Sequence, residues 1–371
     1  MMISPLVNRA LLSSAERIVV KVGSSSLTAR DGGLNMHQLE ELIDVLSGAV
    51  ERGQETVLVS SGAIAAGLAP LGFTRRPKGV QDQQAAAMVG QQRLMAAYSD
   101  GFARRDITIG QVLLTQDDVV NRKHYANAQA ALTRLLHYGV VPIVNENDAV
   151  VTDDLRFGDN DRVAALVAHL VNANALILCT DVDGLYTAPP HHPDARLISE
   201  VNRVEDLEGL TISGKGSEVG TGGMRTKVAA ADIATRAGVG VLLANTADLR
   251  RALTGEVVGT WFTPRGHRVN SRELWLRYSA MSHGTITVDD GAAAALRKGG
   301  ASLLAVGIDA VDGSFAAGDL VQIVDRAGIE VARGLCAFSD VEVRRFVDPE
   351  QDERAPRPIV HRDDMAPMRE P

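Results

Sequence analysis

The chain has 371 residues, which is long for a single domain and sufficient for two. Its 46 acidic residues outnumber its 38 basic ones, and the formal net charge of −8 gives no general attraction to nucleic acids or anionic membranes. Aromatic residues make up only 4%, which disfavours a surface built to stack bases, whereas 35 glycines suit an α/β protein with tight turns. No apolar run approaches the roughly 20 residues that span a bilayer.

The N-terminal stretch and the cysteines both indicate a cytoplasmic protein. Residues 1–15 lack the basic region and the apolar core of a signal peptide. Cys179 and Cys336 are far apart in sequence, and Cys179 stands in an apolar run that is typical of a buried strand. We therefore expect two buried, inert thiols in a reducing compartment.

Strand-like and helix-like segments alternate over residues 1–262. Strands are predicted over residues 18–22, 56–59, 107–114, 140–144, 176–180 and 239–244. Helices are predicted over residues 36–52, 83–104, 122–138, 161–171 and 223–237. This alternation predicts an α/β domain with an open, mainly parallel sheet sandwiched by helices. In such a fold, ligands bind at the carboxyl ends of the strands.

The character of the sequence changes after residue 262. Residues 263–280 are irregular and rich in arginine, and we interpret them as a linker. Short β-like runs follow at residues 284–288, 303–308, 319–324 and 330–334. They predict a small, mostly β domain over residues 281–348. Residues 349–371 are rich in Pro, Arg and Asp, so we expect a poorly ordered tail.

Two motifs at predicted strand ends are suited to phosphate groups. Lys21 is followed by a loop rich in glycine and serine at residues 22–26, so its ammonium and the loop amides can meet phosphoryl oxygens. The order differs from that of a Walker A motif, and an exposed lysine at a strand end is the alternative. Ser-Ser-Gly-Ala at residues 60–63 leads into an Ala-rich helix, whose N-terminus is a natural anion site, although a simple strand-to-helix turn would also explain it.

Polar residues are dense at two further places. Asn-Glu-Asn-Asp at residues 145–148 follows a predicted buried strand, and Gly-Asp-Asn-Asp at residues 158–161 opens a predicted helix. Helix capping would explain one of these side chains but not the whole set. Carboxylates at this density suit holding the ammonium of an amino acid, orienting lysines or binding Mg²⁺.

A further glycine-rich loop at residues 220–223 opens another predicted helix. Lys227 falls about one turn into this helix, so the loop amides and the lysine ammonium are predicted to form a second phosphate-binding site. The alternative is an ordinary loop without a ligand. Residues 361–364 read His-Arg-Asp-Asp, but no Asn follows at the spacing of a protein-kinase catalytic loop and the chain has no Asp-Phe-Gly. We interpret those four residues as part of a solvated tail.

Two separated lysines, two glycine-rich loops and a carboxylate cluster favour phosphoryl transfer, in which positioning and electrostatics supply most of the catalysis. No general base is evident. A carboxylate acceptor would need none, because with a pKa of about 4 it is ionised at neutral pH. Such an acceptor must be held against another anion, so flanking ammonium groups are required.

In this order along the chain, the motifs resemble those of the glutamate 5-kinases, within the amino-acid kinase family. They lie at residues 21–24, 60–67, 145–150, 158–161, 180–181, 184–187 and 220–227. The resemblance covers residues 17–262, and the C-terminal part resembles the PUA domain that many glutamate 5-kinases carry. It implies the amino-acid kinase fold and transfer of a phosphoryl group from ATP to the side-chain carboxylate of L-glutamate, the first step of proline biosynthesis. It also implies Mg²⁺, feedback inhibition by proline and a homo-oligomer.

The resemblance assigns roles to individual residues. Lys21 and Lys227 flank the transferring phosphoryl group, and Asp161 orients them. The residues that contact glutamate are Ser61, Asp148 and Asn160. The residues that contact ATP are Lys21, Thr180, Asp181, Thr221, Gly222, Gly223, Met224, Arg225, Thr226 and Lys227. The metal ligands stay open, and Arg225 departs from the small serine that is common at its position, although a guanidinium is compatible with a bound nucleotide.

Two alternatives stay open from the residues. One is another kinase of the same fold, such as aspartokinase, acetylglutamate kinase or uridylate kinase, although aspartokinases carry Lys-Phe-Gly-Gly-Thr-Ser near the start and end in ACT domains. The other is RNA binding, because PUA-like domains often bind RNA. Residues 281–350 hold 6 basic and 11 acidic residues, which disfavours RNA binding.

Overall fold

The computed structural model of the chain describes residues 6, 8–29, 33–115, 118, 122–150, 160–207, 223–265, 276, 282–348, 350–351 and 354–368. The chain divides into two compact units, Met1–Arg268 and Val269–Pro371. Each unit has a hydrophobic core of its own. The predicted domain boundaries at residues 262, 280 and 348 stay predictions, because most of the expected linker lies outside the described residues.

An eight-stranded sheet forms the centre of the first unit. Its strands are β1 (Arg17–Val22), β2 (Glu55–Ser60), β3 (Ile109–Leu114), β4 (Val141–Glu146), β5 (Ala175–Thr180), β6 (Glu200–Val201), β7 (Gly240–Asn245) and β8 (Thr260–Phe262). They lie in the order β3-β4-β2-β1-β5-β7-β8-β6, and β7 with β8 is the one antiparallel pair among these neighbours. Every residue of β4 and β5 is buried, as expected for strands that are covered on both faces.

Helices flank this sheet. Among the described residues of the first unit they are α1 (Met36–Glu51), α2 (Ala63–Leu68), α3 (Val80–Ala103), α4 (Arg122–His137), α5 (Asn160–Leu170), α6 (Met224–Arg236) and α7 (Leu249–Leu253). In α1 the side chain of Asn35 caps the N-terminus, and Leu39, Ile43 and Leu46 bury one face at helical spacing. The predicted α/β class with an open, mainly parallel sheet is therefore confirmed.

Two glycines let α2 and α3 pack in direct backbone contact. A Cβ on Gly67 would lie 1.9 Å from the carbonyl oxygen of Ala86, and a Cβ on Gly90 would lie 1.7 Å from that of Ala63. Both distances are far below van der Waals contact, so a side chain at either glycine would force the helices apart. This contact fixes α3 against α2, whose N-terminus follows the end of β2.

The second unit is built on a five-stranded sheet. Its strands are β9 (Gly284–Val288), β10 (Ile308–Gly313), β11 (Leu320–Val324), β12 (Glu330–Leu335) and β13 (Met365–Pro367), in the order β10-β9-β11-β12-β13. Within the part of this unit that the structure describes, two α-helices are present, α8 (Asp290–Lys298) and α9 (Asp340–Val347). Asp289 caps α8, and Ser339 and Glu342 form a capping box at α9. The prediction of a small, mostly β unit is confirmed, although its two helices were not predicted.

The predicted strand at residues 303–308 is wrong. Leu303 makes only an isolated bridge to Val360, residues Ala305–Gly307 form a 3-10 turn, and the strand begins at Ile308. The apolar run reads like a strand, but Leu304 and Val306 are exposed at 52% and 88%. Short apolar runs are ambiguous by pattern alone.

The expectation of a poorly ordered, solvated tail is also wrong for residues 354–368. β13 pairs with β12, and Ile359, Val360 and Ala366 are fully buried in the core of the second unit. His361 accepts a hydrogen bond from the backbone N–H of Asp363 at the start of a short 3-10 turn. The segment is rich in charged residues and has few apolar ones, so its composition alone wrongly predicts a disordered tail.

Candidate active site

Two lysine ammonium groups meet at one buried carboxylate. Lys21 lies on β1, Asp161 lies in the first turn of α5, and Lys227 is the fourth residue of α6. Lys21 Nζ is 2.5 Å from Asp161 Oδ1, and Lys227 Nζ is 2.9 Å from Asp161 Oδ2. Asp161 is fully buried, and both lysines are at least nine-tenths buried. Residues from three distant parts of the chain therefore form one ionic cluster.

The carboxylate of Asp161 is kept ionised by its two partners. Burial opposes its charged form, but the charges of Lys21 and Lys227 and their hydrogen bonds outweigh that cost and lower the pKa of Asp161 to about 2. At neutral pH the cluster carries two positive charges and one negative charge. The remaining positive charge favours the binding of an anion beside it.

The N-terminus of α6 supports this cluster. Thr226 Oγ1 donates to the backbone oxygen of Gly223 at 2.7 Å and lies 3.3 Å from Asp161 Oδ2. A cation such as Lys227 is unfavourable near the positive end of a helix, and Asp161 supplies the opposing charge. Gly223 and Met224 are half-buried and Arg225 is exposed, while Thr221 and Gly222 lie outside the described residues.

A network of side-chain amides lies at the ends of β2 and β4. Asn160 Nδ2 donates to Ser61 Oγ at 2.8 Å and to Asn145 Oδ1 at 3.0 Å. Asn145 Nδ2 donates to Gln91 Oε1 at 2.9 Å, and Asn145 Oδ1 also accepts from the backbone N–H of Glu146. The network joins α5, β4 and α3 at the carboxyl ends of the strands. Its member Asn160 directly precedes Asp161 in the sequence.

The turn after β2 holds Ser61 in place. Its backbone N–H donates to the carbonyl oxygen of Val22 at 3.1 Å, which ties it to the end of β1. Gly62 has a φ of +107°, a conformation that residues with a Cβ rarely adopt, and it immediately precedes α2. The preceding Ser60 exchanges a hydrogen bond of 2.8 Å with the buried hydroxyl of Tyr98 on α3.

A second group of polar residues lies at the ends of β5 and β7. Thr180 is buried and Asp181 is exposed, and the two side chains are joined by a hydrogen bond of 3.1 Å. Thr246 Oγ1 donates to the backbone oxygen of Thr180 at 3.2 Å and lies 3.1 Å from Ser26 Oγ. Asn245 Nδ2 reaches the backbone oxygen of Asp181 at 3.5 Å. This group links the loop after β1 to the two neighbouring strands.

The structure thus brings Lys21, Asp161 and Lys227 into one cluster, and it joins Ser61 to Asn160. Asp148 lies in the turn after β4 and is half-buried. Sequence reasoning did not single out Asn145 within its polar motif, and it missed Gln91 and Thr246. Gln91 stands in an Ala- and Gln-rich helix with no motif to mark it, whereas Asn145 is the first residue of the polar motif at residues 145–148, which was a usable signal.

The residues that the structure describes contain neither a membrane-spanning helix nor a cluster of metal-ligating side chains. No helix there has the length and apolar character needed to cross a membrane. No three or more His, Cys, Asp or Glu side chains in that part of the chain are placed to hold a metal ion. Cys179 and Cys336 are both buried and unpaired, and burial raises the pKa of Cys179 to about 12.

Comparison with known proteins identifies close relatives. Residues 16–245 match the amino acid kinase family, and residues 284–350 match the PUA domain. The chain is similar to the glutamate 5-kinase of Thermobifida fusca, with 49% identity over 97% of this chain and 95% of that protein. It is similar to those of Streptomyces coelicolor, at 49% identity, and Frankia casuarinae, at 50%, each over 96% of this chain and 98% of the relative.

Proposed function

This chain belongs to the amino acid kinase family, where it falls among the glutamate 5-kinases, and from that membership we propose how its residues perform the reaction. It transfers the γ-phosphoryl group of ATP to the side-chain carboxylate of L-glutamate, which gives L-glutamyl 5-phosphate and ADP. This is the first step of proline biosynthesis. The observation that carries the assignment of roles is the convergence of Lys21 and Lys227 on the buried carboxylate of Asp161.

The reaction joins two anions, and the two lysines offset their repulsion. A carboxylate oxygen of glutamate forms a bond to the γ-phosphorus, while the bond from that phosphorus to the oxygen bridging it to the β-phosphate breaks. The electron pair of the broken bond leaves with ADP. The glutamate carboxylate is ionised at neutral pH, so no proton has to be removed. Lys21 and Lys227 stabilise the charge on the transferring group, and Asp161 holds them in place without itself being protonated.

The amide network provides a site for the amino-acid part of glutamate. Asn160 and Ser61 are joined by a hydrogen bond, and Asp148 lies in the turn after β4. The Oδ1 atom of Asn160 is buried and has no hydrogen-bond partner among the described residues. A buried acceptor without a partner is costly, and an ammonium group satisfies it. We assign these three residues to glutamate, with the acceptors meeting its ammonium group.

The nucleotide is assigned to the ends of β5 and β7 and to the N-terminus of α6. Thr180 and Asp181 are linked there to Thr246 and Asn245. The backbone N–H groups at the start of α6 and the side chain of Lys227 suit phosphate oxygens. Thr221 and Gly222, assigned with them from the resemblance, lie outside the described residues, and Arg225 is exposed at the surface of this helix.

Mg²⁺ is assigned to the nucleotide substrate. Within the described residues no cluster of three carboxylate, histidine or cysteine side chains is available to the ion, and the buried carboxylate of Asp161 is occupied by two ammonium groups. We assign the ion to phosphate oxygens and water, which commonly hold Mg²⁺. When bound, the ion neutralises part of the phosphate charge.

Three further properties rest on the family. We place the reaction in the cytoplasm, where ATP is available and where unpaired thiols such as Cys179 and Cys336 persist. Proline is assigned as a feedback inhibitor, because it is the end product of the route. A homo-oligomer is assigned on the same basis.

The assignment of function is tested by coupled detection of ADP with glutamate, aspartate, acetylglutamate and UMP as acceptors. We expect turnover with glutamate alone, and its near-complete loss in Lys21→Ala and in Lys227→Ala. Lys298→Ala is the matched control, because Lys298 is exposed on α8 in the second unit, and it should retain full activity. Faster turnover with another acceptor would overturn the substrate, and retained activity in either lysine variant would overturn the roles.

A further inference from the structure

Gln91 lies on α3, and its side chain is hydrogen-bonded to the amide of Asn145. It is 9% exposed, and its Oε1 accepts a hydrogen bond of 2.9 Å from Nδ2 of Asn145. The neighbouring Gly90 allows this contact, because its missing side chain lets α3 touch the backbone of α2. Resting on the function proposed above, we infer that Gln91 is a positioning residue for glutamate, acting through Asn145 on the amide of Asn160.

The direction of every hydrogen bond in this network follows from one backbone group. The N–H of Glu146 donates to Asn145 Oδ1 at 2.9 Å, so the oxygen of that amide must face it. The same oxygen accepts from Asn160 Nδ2, which turns the oxygen of Asn160 away from Asn145. The Nδ2 group of Asn145 then needs an acceptor, and Gln91 Oε1 supplies it.

This series of hydrogen bonds, each with a fixed direction, explains why Asn160 presents a hydrogen-bond acceptor to glutamate. Asn160 Nδ2 is engaged by Asn145 and by Ser61, and its Oδ1 is buried with no hydrogen-bond partner among the described residues. The orientation that presents this oxygen is the one that an ammonium group requires. If Gln91 no longer accepts from Asn145, the amide of Asn145 gains freedom to rotate, and the orientation of Asn160 is no longer enforced.

The face of α3 that carries Gln91 forms hydrogen bonds with residues at the ends of β2 and β4. Tyr98, two turns later on the same face, bonds to Ser60 at the end of β2. Gln91 bonds to Asn145 at the end of β4. The adjacent Gln92 is exposed, so the same residue type occurs at successive positions with opposite surroundings. Gln92 therefore provides a matched control.

The test is a double-mutant cycle on glutamate binding. Gln91→Met keeps the volume and removes the acceptor, and we expect it to raise the KM and the dissociation constant for glutamate by about tenfold, with the KM for ATP changed less than about twofold. In an Asn145→Ala background the same substitution should have less than about a twofold effect, because its target is gone. Dissociation constants from calorimetry cover variants with low turnover.

The outcomes separate this inference from the proposed function. Gln92→Met should leave both constants unchanged. Equal effects on glutamate and ATP, no effect of Gln91→Met, or full additivity with Asn145→Ala would each overturn the positioning role, while wild-type turnover of glutamate would still support the proposed function. Wild type that neither binds nor phosphorylates glutamate would overturn the function itself. Gln91→Leu replaces Gln91→Met in the cycle if the latter does not fold.

Discussion

The proposed chemistry depends most on the buried carboxylate of Asp161. Without it, two ammonium groups would face each other in a site from which water is largely excluded, and their repulsion would be weakly screened. The carboxylate both makes their burial possible and sets the distance between them. A single residue thus connects the stability of the site to its proposed activity.

Asp161→Asn should lower kcat/KM for glutamate by about a hundredfold or more, because an amide of the same shape does not hold two cations in place. The ADP-release assay measures this loss. Asp100→Asn is the control, since Asp100 is exposed on α3, and its activity should match that of wild type. An Asp161→Asn enzyme with nearly full activity would contradict the positioning of the lysines by this carboxylate.

The lowered pKa of Asp161 also predicts how stability depends on pH. The pKa falls from 3.8 to about 2 on folding, so the ionised group stabilises the folded state above pH 4. That contribution, about 2 kcal/mol, is lost as the pH falls from about 4 to about 2. Chemical denaturation at several pH values measures it. Asp161→Asn should show a shallower decline over this interval than wild type, and parallel curves would contradict the prediction.

At the scale of elements, the contact between α2 and α3 brings the site together. Gly67 and Gly90 remove the side chains that would separate the two helices. The close approach places Gln91 and Tyr98 against the ends of β4 and β2. Small residues in an Ala-rich helix are therefore a requirement of packing, and helix propensity alone would favour alanine at both positions.

Gly90→Ala should destabilise the first unit by about 1–3 kcal/mol or more, because its Cβ would overlap the carbonyl oxygen of Ala63. It should also raise the KM for glutamate, since Gln91 moves with the helix. Gly48→Ala on α1 is the control, because its Cβ would meet only the guanidinium of Arg52 at 3.5 Å. That variant should gain about 0.5–1 kcal/mol. Thermal unfolding distinguishes the two, and equal effects would refute the packing argument.

The sequence predicted the elements of the first unit well. All six predicted strands there are observed within two residues, because long apolar runs and alternating helical segments are local signals. The short strands β6 and β8 were missed, since two or three residues carry no periodicity. In the second unit, α8 and α9 were missed because each has only one or two fully buried side chains.

On the scale of the whole molecule, the chain forms two units with separate cores. The second unit is completed by the last part of the chain, since β13 adds to the edge of its sheet beside β12. Several of its arginines are paired with acidic residues, such as Arg297 with Asp325 and Arg326 with Asp309. These pairs agree with the acidic composition that disfavours RNA binding.

Deletion of residues 354–371 should unfold the second unit. It removes β13 and four buried apolar side chains, Ile359, Val360, Met365 and Ala366. Their burial is worth several kcal/mol, about as much as the stability of a small domain. Differential scanning calorimetry should show the loss of a transition. Deletion of residues 369–371 leaves β13 intact and should keep the wild-type trace, and an unchanged trace in the longer deletion would show that the segment is dispensable.

The sequence by itself determined the class of the first unit, most of its strands and helices, and the kinds of residue available for chemistry. These follow from local properties, namely hydrophobic periodicity, glycine-rich turns and polar clusters after strands. Its resemblance to the glutamate 5-kinases identified the three ionic residues as candidates. A local sequence pattern, however, contains no information about the distance between positions far apart in the chain.

Only the tertiary structure decided that Lys21, Asp161 and Lys227 share one buried cluster. It alone revealed that hydrogen bonds join Gln91, Asn145 and Asn160 in one network, and that residues 359–366 complete a core. The physical reason is the same in each case. Burial, pairing and hydrogen-bond direction depend on which elements pack together, and packing is settled by the whole chain rather than by neighbouring residues.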